Sequence, residues 1–209
     1  MTAWETLTWD VARSSGFLAY ILFSASVAVG LALAAHWQNA EWPRLINAEM
    51  HNFLALVGLA FVGVHAFFVL IDPYTHFGLS DVLIPFASSY RTFSMAMGIV
   101  AVYLGIAIGI STLLRSRIGY ATWRKIHVLT LLGYIGATIH GLGSGTDANT
   151  WWSILIYLGS TGLIGILLTI RLLVPATAKG KSRPGLATVT GLLTVVLWGW
   201  ALFGPLHAL

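Results

Sequence analysis

The stretch Met50–Leu70, MHNFLALVGLAFVGVHAFFVL, is almost wholly apolar, yet it holds the imidazoles of His51 and His65. A second stretch, Ile126–Gly143, IHVLTLLGYIGATIHGLG, repeats the feature with His127 and His140. A polar ring inside a long apolar run is costly to bury in hydrocarbon and tends to face an interior site. Two such runs, each with a histidine near either end, organise the reading of the rest of the chain.

Of the 209 residues, 57% are hydrophobic and 9% charged, and the mean hydropathy is +0.84. That is too apolar for an ordinary soluble domain and reads as an integral membrane protein in a lipid bilayer. Cysteine is absent, which excludes disulfides, thiolate metal sites and thiol catalysis. The net charge of +4 and the pI near 9.6 do not point to nucleic acid, because the basic residues lie in short loops between apolar runs, where insertion topology accounts for them. The first ten residues contain Glu5 and Asp10 and no basic leader, so no cleavable signal peptide is expected and the first apolar helix is read as retained.

Crossing a bilayer takes about 20 apolar residues in a helix. Six stretches approach that length, at about 14–36, 50–71, 93–114, 126–143, 152–174 and 186–205, separated by segments rich in charges and turn formers such as Pro43, Pro73, Pro85 and Pro175. The expected fold is therefore an all-α, six-helix transmembrane bundle forming a single domain over 1–209. Along a six-span path, one side collects Arg44, Arg115, Arg117, Arg124, Lys125, Arg171, Lys179, Lys181 and Arg183, and the other only Arg13 and Arg91. This asymmetry places loops 1, 3 and 5 in the cytoplasm and both termini outside. Trp37, Trp42, Trp123, Trp151, Trp152, Trp198 and Trp200 fall at predicted helix ends and read as interfacial anchors.

In this topology the two histidine helices run in the same direction. Separations of 14 and 13 residues correspond to rises of roughly 21 and 20 Å, so His51 pairs in height with His127, on the inner side, and His65 with His140, on the outer. Zinc wants its ligands gathered around one ion, which two levels so far apart do not allow. A proton relay wants acidic partners within the membrane, and every acidic residue is expected in a loop or at a helix end. Haem is satisfied by one or two neutral imidazoles from facing helices in an apolar pocket. Helical phase complicates the second pair: 14 residues return within about 40° of the starting face, whereas 13 leave a mismatch of about 140°. Gly133 and Gly136 lie between His127 and His140, where they permit a local distortion or a close helix approach.

The 14- and 13-residue spacings, with Ala12-Arg13-Ser14-Ser15-Gly16 at the head of the first helix, resemble the ferric reductase-like transmembrane domain. That domain is found in NADPH oxidases, ferric reductases and the haem-binding membrane subunit of the bacterial methionine sulfoxide reductase system. The resemblance covers about residues 12–145. It implies two stacked b-type haems, the inner ligated by His51 and His127 and the outer by His65 and His140, with the Ala-Arg motif near the outer haem, in a bacterial plasma membrane. It further implies a membrane cytochrome b that passes electrons between redox partners on opposite faces. Unlike the oxidases, no flavin or nicotinamide domain is expected after the last helix, so electrons enter from a separate quinol, flavoprotein or reductase and leave to a separate acceptor. A terminal reductase acting on ferric chelate or dioxygen at the outer haem, and a subunit whose haem is structural or sensory, stay open as alternatives, as do oligomeric state and direction of flow.

Arg13, the one cation in the outer half of the first helix, needs an anionic partner, for which a haem propionate is the preferred reading. Arg91 is a second outer candidate. Arg44, Arg124 and Lys125 flank the inner histidines and are candidates for inner propionates. His36, His76 and His207 read as interfacial. The glycine-rich Gly141–Gly145 reads as a helix exit rather than a nucleotide loop. Gly159, Gly162 and Gly165 suit close helix packing, and Lys179, Lys181 and Arg183 make a basic loop suited to anionic lipid.

Overall fold

The computed structural model describes residues 3–37, 43–174 and 181–203. Among these it is all helical, with no strands. Trp42, Pro175, Lys179 and His207 lie outside the described residues. The helices are α1 (Ala3–Ala34), α2 (Arg44–Ile71), α3 (Leu79–Leu83), α4 (Thr92–Leu113), α5 (Arg115–Ile118), α6 (Tyr120–His127), α7 (Thr130–Ser144), α8 (Trp151–Leu173) and α9 (Pro184–Phe203). Among the described residues, six spans are long and apolar enough to cross a membrane: α1, α2, α4, Tyr120–Ser144, α8 and α9. The protein is therefore read as an integral membrane protein.

Most boundaries agree with the sequence within a few residues, and α1 departs furthest. It starts at Ala3 rather than near residue 14, so Glu5 and Asp10 lie inside a helix rather than before it. The segment up to Ala12 has no Pro or Gly to stop a helix, and its apolar residues continue the pattern. The expected fourth span is interrupted after His127, where Leu129 N–H donates to Ile126 O at 3.0 Å and Leu131 N–H to Val128 O at 3.1 Å. These i to i−3 bonds make a tightened turn of the 3₁₀ kind, which rotates about 120° per residue in place of 100°. Two such steps, at Val128 and Leu129, add about 40° and reduce the phase mismatch between His127 and His140. The distortion thus occurs at Val128 and Leu129 and not at the two glycines. Gly136 instead serves close approach, since a Cβ there would stand 3.0 Å from Met97 O on α4.

The chain divides into two compact units, Met1–Tyr20 with Gly58–Thr146, and Ile21–Val57 with Asp147–Leu209. In the first, α4 packs along α7. A buried hydroxyl cluster joins α1 to α7: Tyr20 OH lies 2.9 Å from Tyr134 OH and 3.2 Å from Thr138 Oγ1, and the tyrosine rings stack with centroids 5.5 Å apart. Thr138 spends its proton on Tyr134 O at 2.9 Å. Tyr20 therefore donates to Thr138 and accepts from Tyr134. Hydroxyl groups this far from water are costly without partners, and the cluster satisfies them internally.

In the same unit, Thr8 donates to Asp72 Oδ1 at 2.7 Å, and Thr75 N–H donates to Oδ2 at 2.9 Å. Burial alone would raise the Asp72 pKa, but the bonds from Thr8, Thr75 and the Tyr74 backbone outweigh it and hold the carboxyl below its ordinary value. A carboxylate depressed in the folded state contributes stability that is present above the unfolded pKa, ~3.9, and is lost as pH falls through the lower folded value. Thermal unfolding should therefore lose stability below pH ~4, and Asp72→Asn should flatten that acid limb.

In the second unit, α8 and α9 form an antiparallel hairpin whose contact is set by two of the three glycines expected to pack. A Cβ on Gly162 would stand 2.7 Å from Trp198 Cζ2, and one on Gly165 would stand 2.6 Å from Thr194 Oγ1, whereas Gly159 faces open space. Trp198 also donates from Nε1 to Thr161 Oγ1 at 3.1 Å, so it is a packing residue of α9 as well as an aromatic near a helix end. Gly162→Leu should force the helices apart and lower stability by about 1–3 kcal/mol, read as a fall in unfolding temperature.

Candidate functional site

Three of the four histidines are held in the same way. His65 Nδ1 lies 2.7 Å from Ala12 O, His140 Nδ1 3.1 Å from Ser94 O, and His51 Nδ1 2.8 Å from Ser26 O. A carbonyl only accepts, so the proton in each bond sits on Nδ1, and a neutral ring keeps the Nε2 lone pair for another partner. Ser26 agrees with this tautomer, because its hydroxyl donates to His51 O at 3.1 Å.

Each accepting carbonyl stands four residues before a glycine on the same helix: Ala12 before Gly16, Ser26 before Gly30, Ser94 before Gly98. Those glycines make room for the rings. An added Cβ would lie 3.0 Å from His65 Nδ1 at Gly16, 3.1 Å from His51 Cε1 at Gly30 and 2.5 Å from His140 Nδ1 at Gly98. A carbonyl and a missing side chain one turn further on thus form a cradle for an imidazole. The cradle went unread in the sequence, although a signal was there: Gly16 and Gly30 are 14 residues apart on α1, as His51 and His65 are on α2. Antiparallel neighbours in register present those pairs to each other.

Within the first unit, His65 and His140 come together with ring centroids 6.2 Å apart and planes at 78°. An ion bonded to one nitrogen of each ring at the ~2 Å typical of metal–imidazole bonds would hold the ring centres about 6 Å apart. Among the described residues no group of three or more His, Asp or Glu side chains is placed to hold a metal ion. Two imidazoles at this separation with no third protein donor fit an ion that brings its own equatorial ligands, which is the donor set haem requires. All four histidines are half-buried. His127 closes α6 and stacks on Trp123 with centroids 4.8 Å apart. His51 belongs to one unit and His127 to the other.

The arginines are placed less uniformly. Arg13, next to the Ala12 carbonyl that holds His65, lies 3.5 Å from Asp10 one turn back. The anion beside it is therefore a carboxylate of its own helix, in a partly exposed pair of the kind that contributes little to stability. Arg91 caps α4 in a left-handed conformation, φ 41°, and donates from Nη1 to Gly143 O at 2.8 Å. It ties the start of α4 to the end of α7, where a cation also complements the helix dipole. Arg44 opens α2 with Nη1 3.3 Å from His36 Nδ1, and Arg124 is exposed on α6, one turn before His127. His36 and His76 both sit at left-handed positions outside the helices, φ 57° and 52°.

Comparison of the chain with protein-family models, with curated proteins and with solved structures finds no match.

Proposed function

We propose that the protein is a membrane cytochrome b of the ferric reductase-like kind, which binds two b-type haems and carries electrons one at a time between separate redox partners on opposite faces. The observation that carries this reading is the His65–His140 pair, 6.2 Å between ring centres with each Nδ1 already spent on a backbone carbonyl. Bound haem supplies the one-electron centre. The chain's part is to fix the ligand rings and surround them with apolar helix. The Ala12 and Ser94 carbonyls hold the imidazoles in the tautomer that leaves Nε2 to bind, and raise their basicity as ligands. The cradle around His51 supports a second haem, whose other ligand, His127, is assigned from the spacing in the sequence. Arg13 and Arg91 are the candidates for propionates at the His65 and His140 level, and Arg44 and Arg124 at the other. Pyridine haemochrome analysis of the purified protein should return two haems per chain, both low-spin by absorption; one haem or none would sink the reading. As an electron carrier rather than a terminal reductase, the dithionite-reduced protein should reoxidise slowly with ferric chelate until a partner is added.

A further inference from the structure

The corner between α4 and α7 holds a cluster that touches His127. Gly119, φ 80°, turns the chain there, and α6 follows at once. Trp123 lies one turn before His127 on α6, its ring stacked on the imidazole with planes at 28° and centroids 4.8 Å apart. The indole is itself fixed. Its Nε1–H donates to Thr112 Oγ1 on α4 at 3.1 Å, and the Arg115 guanidinium carbon lies 4.4 Å from its ring centre. The same guanidinium lies 5.1 Å from the ring of Tyr120, which in turn sits 5.5 Å from Trp123. A hydrogen bond at the ring edge and a cation at its face hold the indole plane.

An imidazole on a helix has two side-chain torsions, and the second, which sets the ring plane, is broad for such rings. At His65, His140 and His51 the hydrogen bond to a carbonyl narrows it. At His127 a flat neighbour anchored from two helix segments does so by stacking. We infer that Trp123 is a positioning residue for His127: it sets the plane of the imidazole, and Thr112 and Arg115 hold Trp123 in place to do it. This rests on the reading of His127 as a haem ligand. An interfacial anchor, the role expected of this tryptophan from sequence, would affect insertion and stability but not the electronic structure of one haem.

The plane of an axial imidazole governs the g anisotropy of a low-spin ferric haem, so electron paramagnetic resonance of the oxidised, full-length protein in detergent tests the inference. Trp123→Leu should shift the largest g value of one of two low-spin signals and leave the other in place. Trp123→Phe, which restores a flat ring, should bring the shifted signal back towards wild type. Thr112→Val, which removes the hydroxyl but keeps the shape, should shift the same signal. A Trp123→Leu protein with two haems and both signals unchanged overturns the inference, as does a phenylalanine variant no closer to wild type than the leucine one. Should the leucine variant fail to fold, Thr112→Val decides: a shift confined to one signal supports the assignment, and no shift overturns it. Wild-type protein with no haem on His127 refutes the underlying reading instead, and haem stoichiometry reveals that separately.

Discussion

Replacing His65 by alanine should remove one haem of the two and leave the other with its spectrum intact, halving the reduced-minus-oxidised absorbance per chain. On the proposed function His140→Ala should remove the same haem, because the two rings stand 6.2 Å apart. His51→Ala should remove the other. The expectation of independence comes from the rise of an α-helix: 14 residues between His51 and His65 put roughly 21 Å between the levels. Folding should survive each change, since none of the four histidines is a fully buried residue. Haem content and redox difference spectra of the purified variants check this. Loss of both haems from the His65→Ala protein, in material that still runs as a folded species, would refute two separate levels.

Gly98→Ala should be almost as damaging as removing His140, although it adds a single methyl group. That methyl would stand 2.5 Å from Nδ1 and 2.6 Å from Cγ of His140. The atoms it meets belong to the base of the ring rather than to the free end of a flexible chain, so the imidazole must swing as a whole. In swinging it gives up its bond to Ser94 O. Overpacking costs about 1–3 kcal/mol and the lost hydrogen bond about 0.5–1.5 kcal/mol. The measurable result is loss of the haem that His65→Ala also removes, together with a lower unfolding temperature. Gly16→Ala and Gly30→Ala, where the added methyl meets a ring at 3.0 and 3.1 Å, should be milder because a few tenths of an ångström of movement relieves them. A Gly98→Ala protein that keeps both haems and wild-type stability would show that the cradle does not constrain the ligand.

The sequence by itself determined the class of fold and the identity of the candidate ligands. A helix that crosses hydrocarbon must satisfy its backbone internally and clothe itself in apolar side chains, so length and hydropathy mark the spans without knowledge of tertiary contacts. For the same reason, histidines within those spans stand out. The partners of Arg13 and Arg91 were less legible, because a guanidinium reaches any acceptor nearby: Asp10 stands beside one, and the Gly143 carbonyl takes the other. Trp123 and Trp198 look alike in sequence, as aromatics near helix ends, and only packing separates a ring stacked on His127 from one seated on Gly162.

Tertiary structure alone decided how the rings are held and where part of the phase mismatch of the 13-residue spacing is taken up. The first depends on which helix lies against which, since a cradle is a carbonyl of one helix, a glycine of that same helix and an imidazole of another. The second depends on a local change of hydrogen-bond register at Val128 and Leu129, a run of ordinary apolar residues with no Pro or Gly to announce it. The two sides of this turn are each tied to α4, the His127 side through Trp123 on Thr112 and the His140 side through Ser94 O, and the backbone between them tightens.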